Sequence, residues 1–318
     1  MYKLIRIINQ NRKQILIAIL AIVFVITTIQ ILNNVAKKSN EEKENELKNN
    51  NSKYDTSTHN PNYSIISGGS VSQSTQNTVN KIIDNFMTSC NKGDVQTAYN
   101  LLSENCKEEL YPTLEDFTKN YYMNNFKTNK QYSVQLWSKE KLMYKIELYE
   151  DILSTGKVDT TTSRQDFFTI VKENGENKLN ISEYIGKKII EKSTTKEGIT
   201  ITANYKNVYK DYEIYNITIK NSTNNNILLN SNESTKTIYL KGENGAEYTA
   251  YIYEINSNVM ELDSYNKITT NIKFNKQYSS NNGVSLIAFD DIILNAEEYE
   301  NMKNKLEYKD RIKIQIEI

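Results

Sequence analysis

Three spacings of apolar residues succeed one another along the chain. The first is continuous. From Gln14 to Ala36 no charged residue appears, and Ile15-Leu16-Ile17-Ala18-Ile19-Leu20-Ala21-Ile22-Val23-Phe24-Val25-Ile26 forms its apolar heart. At ~1.5 Å per residue, a helix over 14–36 is long enough for the hydrocarbon core of a bilayer. The second spacing is helical. Val79, Ile82, Ile83, Phe86 and Met87 fall on one face of a helix that starts near Thr75. Asn91-Lys92-Gly93-Asp94 stops it, with Gly93 suited to the left-handed C-terminal position and Asp94 to the next N-cap. The second helix turns Val95, Ala98, Tyr99, Leu101 and Leu102 inward. Ser103 precedes a further turn through Leu110, and Pro112 breaks it. Thr113 caps Leu114–Tyr122, with Asp116 as the capping-box acid.

The third spacing is two. Ser133–Ser138, Leu142–Leu153, Gln165–Lys172 and Lys178–Ile181 read as strands, with a turn at Asn174-Gly175-Glu176. Helices followed by an antiparallel sheet give an α+β layout. Between Gly186 and Lys196 the pattern loosens into Lys, Ser, Thr and Glu, and a domain boundary is placed there. Short strands then follow: Ile199–Tyr205, Tyr212–Lys220, Ile227–Leu229, Thr237–Leu240, Glu247–Ile255, Lys267–Phe274 and Val284–Phe289. Asn244-Gly245 is a hairpin turn signal. Asn295 caps a short helix that buries Ala296, Tyr299, Met302 and Leu306, and Arg311–Ile318 alternates perfectly. Seven or eight short strands imply an all-β, immunoglobulin-like sandwich. The expected fold is therefore an N-terminal transmembrane helix, an α+β domain and an all-β sandwich. The expected boundaries are a tail 1–13, a span 14–36, a flexible linker 37–75, an α+β domain 76–186 and a sandwich 197–318.

Charge gives the span a direction. Lys3, Arg6, Arg12 and Lys13 precede it, while Lys37, Lys38 and Lys43 follow among Glu41, Glu42, Glu44 and Glu46. Positive charge favours the cytoplasmic side. The expectation is a single-pass signal-anchor in the plasma membrane, N-terminus inside and both domains extracytoplasmic. A cleaved signal peptide is the competing reading, but its apolar region is normally shorter and Asn34-Val35-Ala36 is a poor cleavage site. Over the whole chain Lys+Arg and Asp+Glu are 39 each, so no net field draws in nucleic acid. The bias toward Asn, Lys, Ile and Tyr matches AT-rich coding in a low-GC bacterium. A single histidine, His59, sits in the polar linker, which leaves no Ser-His-Asp triad, Cys-His pair or His-ligated zinc site on a rigid scaffold.

The run Phe86-x-x-x-Cys90-Asn91-Lys92-Gly93-Asp94-x-x-x-Ala98-Tyr99-x-Leu101-Leu102-Ser103, followed by Leu114-x-x-Phe117 and then strands, resembles the nuclear-transport-factor-2-like superfamily over about 75–185. The resemblance implies a cone-like fold. It does not select a function, because that superfamily spans enzymes, binders and scaffolds, including conjugation-channel subunits and cell-wall proteins. Residues 198–318 resemble secreted bacterial sandwich modules of unknown function, through Tyr212-x-Ile214-x-x-Ile217-x-Ile219, the Asn244-Gly245-x-x-Tyr248 turn and Leu286-x-x-Phe289-Asp290-Asp291-Ile292.

Candidate chemistry is sparse. Cys90 and Cys106 would meet at disulfide distance if their helices form an antiparallel hairpin; the alternative is two small buried residues that never meet. Phe86, Tyr99, Phe117, Tyr121, Trp137 and Tyr144 are candidates to line a cone pocket, with Tyr122 and Tyr132 beside them; the alternative is core and sheet-face packing. Asp84, Asp94 and Asp116 fall at caps or exposed helix positions. Asp290-Asp291 is half of a calcium site or, more simply, a turn or bulge. No catalytic residue, cofactor or metal is assigned. The implied function is a non-catalytic, membrane-anchored scaffold or binding protein of the bacterial cell envelope, part of a conjugation, secretion or cell-wall assembly. Its partners are the lipid bilayer through residues 14–36 and a protein or wall polymer outside. The alternative is a small-ligand binder or enzyme using the cone pocket.

Overall fold

The computed structural model describes residues 70–150, 164–231 and 236–318. Helix α1 (Gln73–Asn91) opens on Ser72, whose hydroxyl accepts the Thr75 N–H at 3.2 Å. It buries Val79, Ile82, Ile83, Phe86, Met87 and Cys90 along one face. Asp94 caps α2 (Val95–Asn100) and Ser103 caps α3 (Glu104–Leu110). Thr113 and Asp116 form the reciprocal capping box of α4 (Leu114–Phe117). The chain then widens into a π-turn over Thr118–Tyr122 before α5 (Met123–Asn125), so the expected single helix to Tyr122 is two geometries in series. Strands β1 (Lys130–Ser138), β2 (Met143–Glu150), β3 (Arg164–Glu173) and β4 (Glu176–Asn180) follow as an antiparallel sheet in that order. The helices cover one face of it, and Val134, Leu136, Tyr144, Ile146, Phe168 and Ile170 point into the shared core.

Residues 184–196, where the sequence pattern loosens, are a 13-residue strand, β5 (Tyr184–Lys196). It pairs antiparallel with β6 (Ile199–Tyr209) through a two-residue turn in which Glu197 and Gly198 have φ +46° and +75°. With β7 (Glu213–Asn221) and β12 (Lys267–Phe274) they form a sheet in the order β12-β7-β6-β5. The opposing sheet contains β8 (Ile227–Leu228), β9 (Ile238–Gly242), β10 (Glu247–Thr249), β11 (Glu261–Leu262) and β13 (Val284–Ile293), in the order β10-β9-β13-β8-β11, with β14 (Arg311–Glu317) paired to β13. Asn244-Gly245 turns β9 into β10 as expected. Short helices α6 (Ser257–Met260) and α7 (Ala296–Asn301) lie between strands, α7 capped by Asn295. Ala296 and Tyr299 are buried there, whereas Leu306, expected inside, is 80% exposed. The two sheets pack face to face: Ile201, Tyr215, Ile217 and Phe274 on one meet Leu240, Ile287, Phe289 and Ile314 on the other in a single core.

The middle of the outer face of the β12-β7-β6-β5 sheet is neutral and bonded to itself, with Lys220, Lys267 and Lys273 at its margins. Asn204 donates to Asn216 and to Thr218 (both 2.8 Å), Asn216 donates to Asn271 (2.8 Å), Thr218 meets Thr269 (2.8 Å), and Thr202 donates to Ser193 (3.1 Å). Thr suits a strand because its branched Cβ fits the pleat, and paired hydroxyls stabilise it across strands.

The β5–β6 hairpin belongs to both cores. Ile199, Ile201 and Ala203 lie between the two sheets, while Tyr184 and Tyr209, at the other end, lie in the core beneath the helices. Tyr184 and Tyr209 rings are 5.2 Å apart, and Tyr184 donates its hydroxyl to Asn207 Oδ1 at 3.0 Å. Glu109 on α3 accepts the Tyr209 hydroxyl at 2.8 Å and the Asn207 amide. All described residues belong to one unit.

The expected fold class is corrected. The described chain is mostly β-sheet, with fourteen strands among the described residues, and α1 alone among its helices is longer than seven residues. No helix among the described residues is long and apolar enough to cross a membrane. The reason lies in α1 itself: it is long enough, but Lys81 and Asp84 occupy its exposed face, so it packs as an amphipathic cover on a sheet. The expected transmembrane helix, and with it the description of the chain as a single-pass, signal-anchored membrane protein, is not seen. Residues 14–36, on which that expectation rested, and the linker with His59, lie outside the described residues.

Gly198 offers a test of the hairpin. A Cβ there would lie 2.9 Å from Thr223 Cγ2, in a backbone conformation that L-residues resist. Gly198→Ala should cost about 1–2 kcal/mol in denaturant unfolding. An unchanged midpoint would show that the turn is not under this constraint.

Candidate functional site

The space beneath the helices is filled by the residues expected to line a pocket. Phe86, Phe117, Tyr121 and Tyr144 are all buried in one cluster. Phe117 stacks on Tyr121 (5.5 Å, 15°), Phe86 meets Phe117 edge-on at 6.3 Å, and Tyr99 tilts against Phe117 at 5.7 Å. Tyr99 donates its hydroxyl to the Tyr111 carbonyl at 3.0 Å. Trp137 does not join them. It projects from the opposite face of β1 and packs with Phe167 (5.6 Å) and Tyr278 (6.1 Å). The acids near the helices are occupied: Asp94 and Asp116 cap, and Asp84 accepts the Tyr132 hydroxyl.

Cys90 and Cys106 are free thiols, so the candidate disulfide is not formed. Each instead fills the helix–sheet core as a small apolar side chain, 1% and 0% exposed. Burial pushes both thiols up to about 12, which keeps them protonated and unreactive at neutral pH. Asp290 and Asp291 sit at a bulge in β13 and are committed to cations: Lys313 Nζ is 2.7 Å from Asp290 Oδ2, and the Arg311 guanidinium is 2.9 Å from Asp291 Oδ1. No cluster of three or more metal-ligating side chains occurs among the described residues.

Sequence reasoning missed Asp166. It enters β3 on the face of Phe168 and Ile170, and so lies inside the helix–sheet core. Tyr121 donates its hydroxyl to Oδ2 at 3.0 Å and the Phe167 N–H donates to Oδ1 at 2.6 Å. Burial raises its carboxyl to about 6, against these bonds. This is a carboxylate–phenol pair of the sort that can move a proton, yet its partners are all protein groups and it lines no part of the cleft described next. The signal was the parity of 166, 168 and 170 in a strand already recognised.

That cleft, of about 700 Å³, lies where β3, the start of β5, the end of β6 and the β12–β13 loop converge. Six lysines line it (Lys141, Lys172, Lys187, Lys188, Lys206 and Lys276) against Glu140, Glu173 and Glu213. A bulge between Ala203 and Tyr205 creates its inner part. Without the extra residue, Lys206 would share the outward face of Thr200 and Thr202; with it, Lys206 turns inward beside Glu213 and Tyr215. Lys206 Nζ is 2.8 Å from Glu213 Oε2, Lys276 Nζ is 3.0 Å from Glu213 Oε1, and Tyr215 donates to Glu213 Oε2 at 2.8 Å. All three charged groups are buried. Burial works to raise the Glu213 carboxyl, but the two ammonium groups outweigh it and hold it below the usual range. Burial lowers Lys206, with Glu213 pulling the other way. Lys188 stands directly opposite Lys206 across the β5–β6 ladder, a like-charge pairing that costs stability.

The chain matches no protein-family model and no curated protein. Among solved structures it is similar to a functionally unknown protein from Listeria monocytogenes EGD-e, at 10% identity and a TM-score of 0.28, over 40% of this chain and 82% of that one. A likeness of that size carries no argument about fold or function.

Two stability experiments follow. Because the folded state binds the Asp166 proton more tightly than the unfolded chain does, the contribution of Asp166 to stability is fully present below about pH 4. It should fall by roughly 3 kcal/mol as pH rises from about 4 to 6. Asp166→Asn should remove that slope in denaturation curves taken from pH 4 to 7.5; a slope that survives assigns the effect elsewhere. Glu213→Gln should leave two buried ammonium groups without a counter-ion and cost about 3–5 kcal/mol. A loss below 1 kcal/mol would mean that water or relaxation already neutralises the site.

Proposed function

We propose that the chain is a non-catalytic scaffold or binding protein. The observation that carries this reading is the filled interior beneath the helices: Phe86, Phe117, Tyr121, Tyr144 and Phe168 are each 3% exposed or less and occupy the space a substrate would need. An enzyme of the cone type would require the Asp166–Tyr121 pair to face an open pocket. Instead the phenol is spent on the carboxylate and aromatic rings close over both. What remains for recognition of a macromolecular partner is outer surface. The position of β1 as an outermost strand among the described residues supports this reading, since sheet edges accept an added strand. So do Tyr251 and Tyr253, which stand 41% and 93% exposed on one short turn.

The test is chemical crosslinking of the full-length protein in cells that produce it naturally, followed by recovery under denaturing conditions. A Tyr121→Phe/Asp166→Asn variant should recover the same partner as the native chain, in the same yield. Failure to recover any reproducible partner would overturn the scaffold reading. Loss of the partner in a variant that still folds would move the function to the buried pair.

A further inference from the structure

The chain as a whole is neutral, yet its cleft is not. Six lysines face three glutamates there, and the glutamates are mostly committed. Glu213 is shared between Lys206 and Lys276. Glu173 accepts the backbone N–H of Glu104 at the start of α3, at 3.1 and 3.3 Å. Lys187 is held by Glu108 at 3.4 Å. Lys141, Lys172 and Lys188 have no ion pair among the described residues. Thr169, another lining residue, is 1% exposed, and its hydroxyl has no hydrogen-bond partner. A buried hydroxyl left unpaired and two lysines set directly opposite each other are both costs in the free protein. A multivalent anion in the cleft relieves the second by screening Lys188 from Lys206.

We infer that this cleft is a binding site for a phosphate-bearing small molecule carrying two or more negative charges. Lysine favours phosphate over carboxylate here. Among the described residues no arginine lines the cleft, so the planar two-point grip that suits a carboxylate is missing there, while ammonium groups act as point charges toward a tetrahedral oxyanion. Lys206 and Lys276 form the fixed positive floor, and Lys172 and Lys188 the exposed rim. The site goes beyond the scaffold reading and does not depend on it, since a bound phosphate compound could regulate a scaffold or be its cargo.

The experiment is calorimetric titration of the full-length protein with sodium pyrophosphate at low ionic strength. A Lys172→Gln/Lys188→Gln variant tests the cleft. Both side chains are exposed and unpaired, so the fold should survive, and circular dichroism verifies it. A Lys92→Gln/Lys303→Gln variant removes the same charge from exposed positions outside the cleft. Binding should weaken by about tenfold or more in the cleft variant and stay within about twofold in the control. No binding to the native protein, or equal weakening in both variants, would overturn the site. Citrate binding as tightly as pyrophosphate would overturn the assignment to phosphate.

Discussion

The two main cores of the described chain share one hairpin, whose two ends lie in different cores. At the turn end, Ile199 and Ile201 are gripped between two sheets. At the open end, Tyr184 and Tyr209 are gripped beneath the helices, and Glu109 ties Tyr209 and Asn207 to α3. Neither core closes without the strands of the other. The cleft is a by-product of this sharing. Where β6 leaves the sandwich core, one face goes to the helices and the other, carrying Lys206 and Val208, is left to meet β3 and the β12–β13 loop. The lysines converge because the hairpin must change neighbours at that point, and the bulge after Ala203 is how the backbone does it.

Many local elements were legible in the chain, though the fold class was not. Caps at Asp94, Ser103, Thr113 and Asn295 are local chemistry, and the alternation in Arg311–Ile318 reports a strand with one wet face. What escaped was β5. Its outer residues face water, its inner ones face a polar cleft, and register shifts at Tyr184/Gly186 and Ile189/Lys192 break the period twice. Such a strand has no apolar rhythm to read. Its existence is dictated by β6, which needs a partner on its free edge. Trp137, expected in the pocket, and Asp166, not singled out, are different, because simple parity was enough to place them: 137 is out of step with Val134 and Leu136, and 166 is in step with Phe168 and Ile170. The candidate site was not legible at all. Lys206, Glu213 and Lys276 are scattered over three strand ends, and only the bulge and the loop bring them together.

The two buried ionisable features have opposite characters. Asp166 is one acid among aromatic rings, where nothing positive offsets its charge and water is excluded, so the core holds its proton longer than water would. Glu213 has two cations and a phenol around it and stays charged. The first stiffens a packed interior; the second props open a polar one. Chemistry that needs a ligand has room near the second and none near the first.

The Thr and Asn lattice on the outer face of the β12-β7-β6-β5 sheet is the counterpart of the cleft on the other side of the same strands. No group in it ionises, and its hydroxyls and amides bond to one another across the strands. Acidification, added salt or a bound anion should therefore pass it by unnoticed. One side of the sheet holds the lysine–glutamate cleft, while the centre of the other is neutral and meets charge only at its margins, at Lys220, Lys267 and Lys273.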